Sequence, residues 1–154
     1  MPTLQQIFSD LFYFQRAELP PSLKHNWTVT LQENDSFILK VIWCYWFTSI
    51  FISFYFATYL LGFIGGGLLT ATALLSHKML LGLPRQIVFC LCLCLFGGLF
   101  VLQQPGYVEP HFAFYASVYL LTRYKDVRPL LVFIVFTVIY YLLFSWLHSQ
   151  GTVL

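Results

Sequence analysis

The sequence predicts an all-α membrane protein, with about five transmembrane helices preceded by an N-terminal amphipathic helix. Three observations carry that prediction. The 154 residues are 59% hydrophobic and only 9% charged, with a mean hydropathy of +0.76, and so much apolar surface has no place inside one small globule. Apolar runs of about 20 residues, the helix length needed to cross ~30 Å of hydrocarbon, recur along the chain. Lys and Arg gather in alternate connections between those runs. The net charge of +2 is too small and too dispersed to suggest nucleic acid as a partner; the expected partner is the lipid bilayer.

Between Thr3 and Phe14, Leu4, Ile7, Phe8, Leu11 and Phe12 recur at three- and four-residue steps, giving a short helix one apolar face. Such a helix lies in the membrane interface or docks on the rest of the bundle. Leu19 to Ser36 is polar, is punctuated by Pro20-Pro21 and reads as a linker, so residues 1–36 form a cytoplasmic N-terminal region and residues 37–154 the transmembrane domain. Asn26-Trp27-Thr28 matches a glycosylation acceptor, which a cytoplasmic location makes inert. The first span is Phe37 to Leu61, capped by Ser36, with Lys40 snorkelling to the interface. The second is Ile64 to Leu83, whose opening Gly65-Gly66-Gly67 is expected to form a tight turn with close packing. The third is Gln86 to Gln103, the fourth the shorter stretch Val108 to Arg123, and the fifth Pro129 to His148, where Pro129 suits a first helical turn.

All eight basic residues fall in the N-terminal segment up to Lys40, the turn His77 to Arg85 and the turn Arg123 to Arg128. Five spans with these loops give a cytoplasmic N-terminus and an outside C-terminus. The N-terminus lacks the basic region of a cleaved signal. Any cytoplasmic output domain would need one more helix after Leu154.

Cys44, Cys90, Cys92 and Cys94 lie within apolar runs and are expected to be free thiols rather than a disulfide framework. Cys90, Cys94 and Gly98 are spaced by four, as are Gly67 and Ala71, and each set offers a groove where another helix can approach closely. Residues 90, 92 and 94 share no single face, because a two-residue step turns ~200°, so metal ligation by the three thiols is geometrically poor.

The chemistry-bearing stretch is Glu109-Pro110-His111, at the head of the fourth span. A carboxylate is favoured at a helix start and Pro fits its first turn. An imidazole there is a candidate ligand, since neutral imidazole binds metal ions and haem iron. His148, near the same end of the fifth span, and Tyr115, one turn below His111, complete the ligand-binding set Glu109, His111, Tyr115 and His148. The alternative is that Glu109 and His111 cap the helix and bond to interfacial water or headgroups. The aromatic stripe Trp43, Trp46, Phe47, Phe51, Phe54, Tyr55 flanks a flat cofactor or forms a core or interface belt. With no Gly-rich phosphate loop, no Ser/His/Asp constellation and only six acidic residues, nothing points to catalysis in this chain.

Arg85, an apolar span, Gly106-x-x-Glu109-x-His111-Phe112-x-Phe114, Tyr124-Lys-Asp-Val-Arg-Pro-Leu130 and a final apolar helix together resemble the membrane-embedded N-terminal sensor region of certain bacterial signalling proteins. In that family such regions precede chemotaxis-receptor, histidine-kinase or diguanylate-cyclase output modules. The resemblance covers roughly Phe37 to Gly151. The family's motif typically reads His-x-His-Phe-Phe, its turn Tyr-Arg-Asp-Trp-Arg, and its last helix often carries a His-His pair. Here Ala113 stands for the second histidine, Val127 for the Trp and Tyr140-Tyr141 for the pair, so a multi-histidine metal site would be depleted. The resemblance implies a homodimeric sensor in the bacterial inner membrane that detects a small ligand or redox signal and passes it to a cytoplasmic output domain. Its cofactor, if any, would be haem or a transition metal held by His111. The alternative is a haem- or quinone-binding membrane anchor of an electron-transfer complex.

Overall fold

A computed structural model of the chain describes residues 21–104, 107 and 109–149, apart from the side chains of residues 21–28, 147 and 148. The amphipathic helix expected over Thr3 to Phe14 lies outside the described residues. All regular structure among them is helical. The helices are α1 (Pro21–Phe56), α2 (Gly66–Met79), α3 (Leu83–Gln103), α4 (Phe112–Leu121) and α5 (Val127–Ser149), with a π-helical turn at Leu60–Gly65 and 3₁₀ turns at Glu109–His111 and Thr122–Tyr124. Four segments, Val29–Phe56, Leu60–Met79, Leu83–Gln103 and Val127–Trp146, are long and apolar enough to cross a membrane.

The chain divides into two units, Met1–Glu33 and Asn34–Leu154. In the first, the described residues are helical from Pro21 onward, so residues 21–36 of the stretch read as a linker are instead the N-terminal part of α1. Pro21 occupies the first helical position, where its missing N–H costs nothing. No Gly or Pro follows until Gly62, and polarity alone does not break a helix. Ser36 is consequently an exposed mid-helix residue and not a cap.

The second unit is organised around α3. Of its span 72% is buried, against 11% for that of α5. It packs on α2, α4 and α5. On α1 the buried positions Asp35, Ile38, Ile42, Ser49 and Ser53 recur at three-, four- and seven-residue steps and form one stripe, while Phe47, Phe51, Phe54 and Tyr55 are exposed. Burying serine and aspartate while exposing phenylalanine suits a helix whose outer solvent is lipid. It also turns that part of the aromatic stripe away from the bundle.

The reversal between α1 and α2 falls at Ala57-Thr58, not at the glycine triplet. Ala57 takes the left-handed conformation (φ 56°), and the Thr58 N–H donates to Ser53 O at 3.2 Å. Gly65 to Gly67 lie within helical turns. The glycine required for close approach is Gly62, where a Cβ would collide with Ser53 Oγ and stand 2.9 Å from Ser49 O. On α2 the buried small residues are Gly66, Thr70, Ala73 and Ser76, so the packing face is offset from the expected Gly67–Ala71 pair; Ala71 is exposed. The Cys90–Cys94–Gly98 stripe does face another helix, α5. Cys90 Sγ lies 3.0 Å from Pro129 O, Cys94 Sγ 3.6 Å from Thr137 Oγ1, and a Cβ on Gly98 would come within 2.8 Å of the Tyr140 ring. Cys92 points the other way, to Leu69 O of α2. All four thiols are free.

The short α4 with its flanking turns runs antiparallel to α1. The Tyr45 hydroxyl reaches Ala113 O and Ser117 Oγ, both at 3.4 Å, and farther along the Asn34 amide donates to Arg123 O at 2.9 Å. One end of the bundle thus gathers Asp35, His77, Arg85 and Tyr124, and the opposite end Ser53, Gly62, Gln103 and His111.

Candidate functional site

Glu109, Pro110 and His111 form the 3₁₀ turn that leads into α4, with Glu109 exposed and Pro110 buried. His111 has helical backbone angles and makes no side-chain capping bond. Its half-buried ring stacks on Tyr141 of α5 instead, with centroids 5.8 Å apart and planes 18° apart. Tyr115, one helical turn on, is 70% exposed, its ring 6.3 Å from that of Phe112. The structure thus brings His111 to Tyr141, while Tyr115 faces outward and Glu109 stays at the exposed edge of the same end. The side chain of His148 lies outside the described residues. Tyr140 turns inward: its hydroxyl donates to Gly98 O at 3.3 Å and its ring packs on Phe114. Among the described residues no group of three or more His, Cys, Asp or Glu is arranged to hold a metal ion.

At the basic end lies a second polar group that the sequence reading passed over. Arg85, in the first turn of α3, crosses to α1, where its Nη2 stands 2.8 Å from Asp35 Oδ2 with both side chains nearly fully buried. Its Nη1 also donates to the backbone O of His77 on α2, at 3.4 Å. Tyr124, 1% exposed, sets its phenol against the Asp35 carboxylate. Burial and that carboxylate push the phenol well above its ordinary range. Gln86 is buried beside Arg85 in sequence, and the His77 ring stacks on Phe89. Asn34 ties α1 to the Arg123 carbonyl, and the Arg123 guanidinium sits 4.3 Å from the centroid of Phe37. The group therefore joins α1, α2, α3 and the α4–α5 turn through charge that is expensive to bury unless paired.

The opposite end is closed by a fully satisfied amide. Gln103, with no exposed surface, accepts from Ser49 Oγ at 3.1 Å and donates to Ser49 O at 3.2 Å and Ser53 Oγ at 2.8 Å. It clamps the end of α3 to α1 just where Gly62 lets α2 approach.

Two signals in the sequence bear on the missed group. Asp35 is one of only six acidic residues and sits at the edge of an apolar run, and Arg85 and Tyr124 both belong to the motif that carries the family resemblance. Neither signal identifies a partner, because Asp35 and Arg85 meet only through the packing of α1 on α3. No protein-family model matches the chain, and no curated protein or solved structure matches it.

Proposed function

We propose that this chain is a membrane-embedded sensor module that detects a small ligand or a redox signal at the His111 end and passes it along α4 to the basic end. The observation that carries the reading is the stack of His111 on Tyr141. Residue 141 is one of the two positions where the resembled family carries its histidine pair, so the residues that the resemblance assigns to a site are neighbours here. The meeting of Arg85 and Tyr124 at Asp35 adds support, since both come from the resembling motif. In this reading α4 is a fifth, short span, the basic end faces the cytoplasm of a bacterial inner membrane, and a homodimer passes helix motion to a cytoplasmic output domain. Signalling then requires the ligand to favour one of two helix arrangements over the other.

The test uses purified protein in lipid nanodiscs, with amide hydrogen exchange of residues 122–128 followed after ferricyanide, dithionite, a first-row divalent metal or a short-chain quinone. Sensing predicts that at least one of these shifts exchange in that turn, and that His111→Ala abolishes the shift while the protein remains folded. The same exchange pattern under all conditions would overturn the reading. An absorption spectrum on the same samples separates the anchor alternative, which requires a redox-dependent chromophore lost in His111→Ala with no change in the turn.

A further inference from the structure

The polar group at the basic end holds more hydrogen-bonding capacity than its side chains satisfy among themselves. Among the described residues, Asp35 Oδ1, Arg85 Nε, Gln86 Oε1 and His77 Nδ1 are buried without a well-directed hydrogen-bond partner, and the Tyr124 hydroxyl faces the Asp35 carboxylate without ideal hydrogen-bond geometry. Even the Asp35–Arg85 contact, at 2.8 Å, leaves Asp35 Oδ2 without a well-aligned donor. Each orphan of this kind has given up its water without a full replacement, which opposes folding. Native proteins rarely tolerate several in one place.

The chemistry of the orphans selects what satisfies them. Asp35 Oδ1 and Gln86 Oε1 only accept, Arg85 Nε–H only donates, and the phenol and imidazole can do either. A further cation is repelled by Arg85 and a further anion by Asp35, whose charges already cancel at contact distance. What remains is a small neutral molecule that donates and accepts at once. We infer that the polar group of Asp35, His77, Arg85 and Tyr124, with Gln86 beside it in sequence, is a hydration site, holding ordered water that bridges α1, α2, α3 and the α4–α5 turn. A buried water typically makes about three hydrogen bonds to such groups and is costly to remove. The site stands apart from His111 and does not depend on the sensing role proposed above. It makes the basic end of the bundle a wet joint, while the middle, with Phe96, Leu93 and Phe133 fully buried, is dry.

The test is hydroxyl-radical footprinting of the wild-type protein in nanodiscs, by X-ray radiolysis in ¹⁸O-labelled water, read by mass spectrometry. Radicals born from bound water attack the side chains beside it even where bulk water has no access. Normalised for intrinsic reactivity, Tyr124 is expected to be oxidised about tenfold faster than the equally buried Phe96 and Phe133, as a residue beside ordered water should be. Tyr124 oxidised only as slowly as Phe96 and Phe133 would overturn the inference. So would all three oxidised rapidly, because that pattern reports general opening. As a second measurement, the paired replacement Asp35→Leu with Arg85→Met should lower Tyr124 oxidation several-fold and leave Phe96 unchanged. Undiminished oxidation in a folded double variant would also overturn the inference, because the site is defined by these two side chains.

Discussion

Removing one partner of the Asp35–Arg85 pair should cost far more than removing both. At 2.8 Å, an effective dielectric constant of about 20 gives a Coulomb attraction of about 6 kcal/mol. Desolvation of the two ions takes back several kcal/mol each, so the pair contributes little net stability. A lone survivor has no such compensation. Arg85→Met alone leaves a carboxylate with 1% of its side chain exposed, and Asp35→Leu alone leaves a guanidinium beside the carbonyl of His77. Each single variant is expected to lose about 3–5 kcal/mol, whereas the double variant should fall within about 2 kcal/mol of wild type. The assay is equilibrium unfolding in mixed bicelles, followed by tryptophan fluorescence and analysed as a double-mutant cycle. Single losses that simply add in the double variant would refute the reasoning, because they would mean that the two charges are solvated independently.

Three further predictions follow from other parts of the bundle. Gly62→Ala should destabilise the protein by about 1–3 kcal/mol through overpacking against Ser53, visible as a lower Tm; an unchanged Tm would mean that α1 and α2 are not in contact there. A lipid-soluble thiol reagent should modify Cys44, which is exposed, and spare the buried Cys90, Cys92 and Cys94, giving one adduct per chain by mass spectrometry and four only after denaturation. The raised Tyr124 phenol gives a signed pH dependence. Its stabilising contribution is complete below the unfolded value of about 10, and stability should fall as pH rises above it, since the unfolded chain then releases a proton that the folded chain retains. Tyr124→Phe should flatten that alkaline decline, and an identical decline in the variant would rule out this residue as its source.

How much of this was legible beforehand depends on the range of the interactions. Helical class and the approximate spans follow from run length and hydropathy, and α3 and α5 begin within a few residues of their expected starts, at Leu83 and Val127. The Cys90–Cys94–Gly98 groove was legible for the same reason, since its spacing of four is a property of one helix. Local composition misled at two places. The polar stretch before Ser36 reads as a linker yet contains nothing that stops a helix. The glycine triplet reads as a turn, while the chain reverses at Ala57, whose left-handed φ of 56° no sequence rule favours for alanine. His111 was visible as a candidate, but the ring it meets was not, since Tyr141 lies 30 residues on. The Asp35–Arg85 pair was illegible for the same reason, each residue alone looking like a charge at a membrane boundary.

The reversal at Ala57-Thr58 bears on how the chain is made. Two residues reach at most about 7 Å, a small fraction of the ~30 Å hydrocarbon core, so wherever α1 crosses a bilayer, α2 must begin at the face where α1 ends. The segment Leu60–Met79 has a mean hydropathy of 1.5, against 2.2 for Leu83–Gln103, which makes it the weaker candidate to partition unaided. Its short tether holds the start of that segment against the end of α1, where Gly62 meets Ser53 and Ser49, and a spacer of some twenty flexible residues placed after Ala57 would remove that enforced proximity.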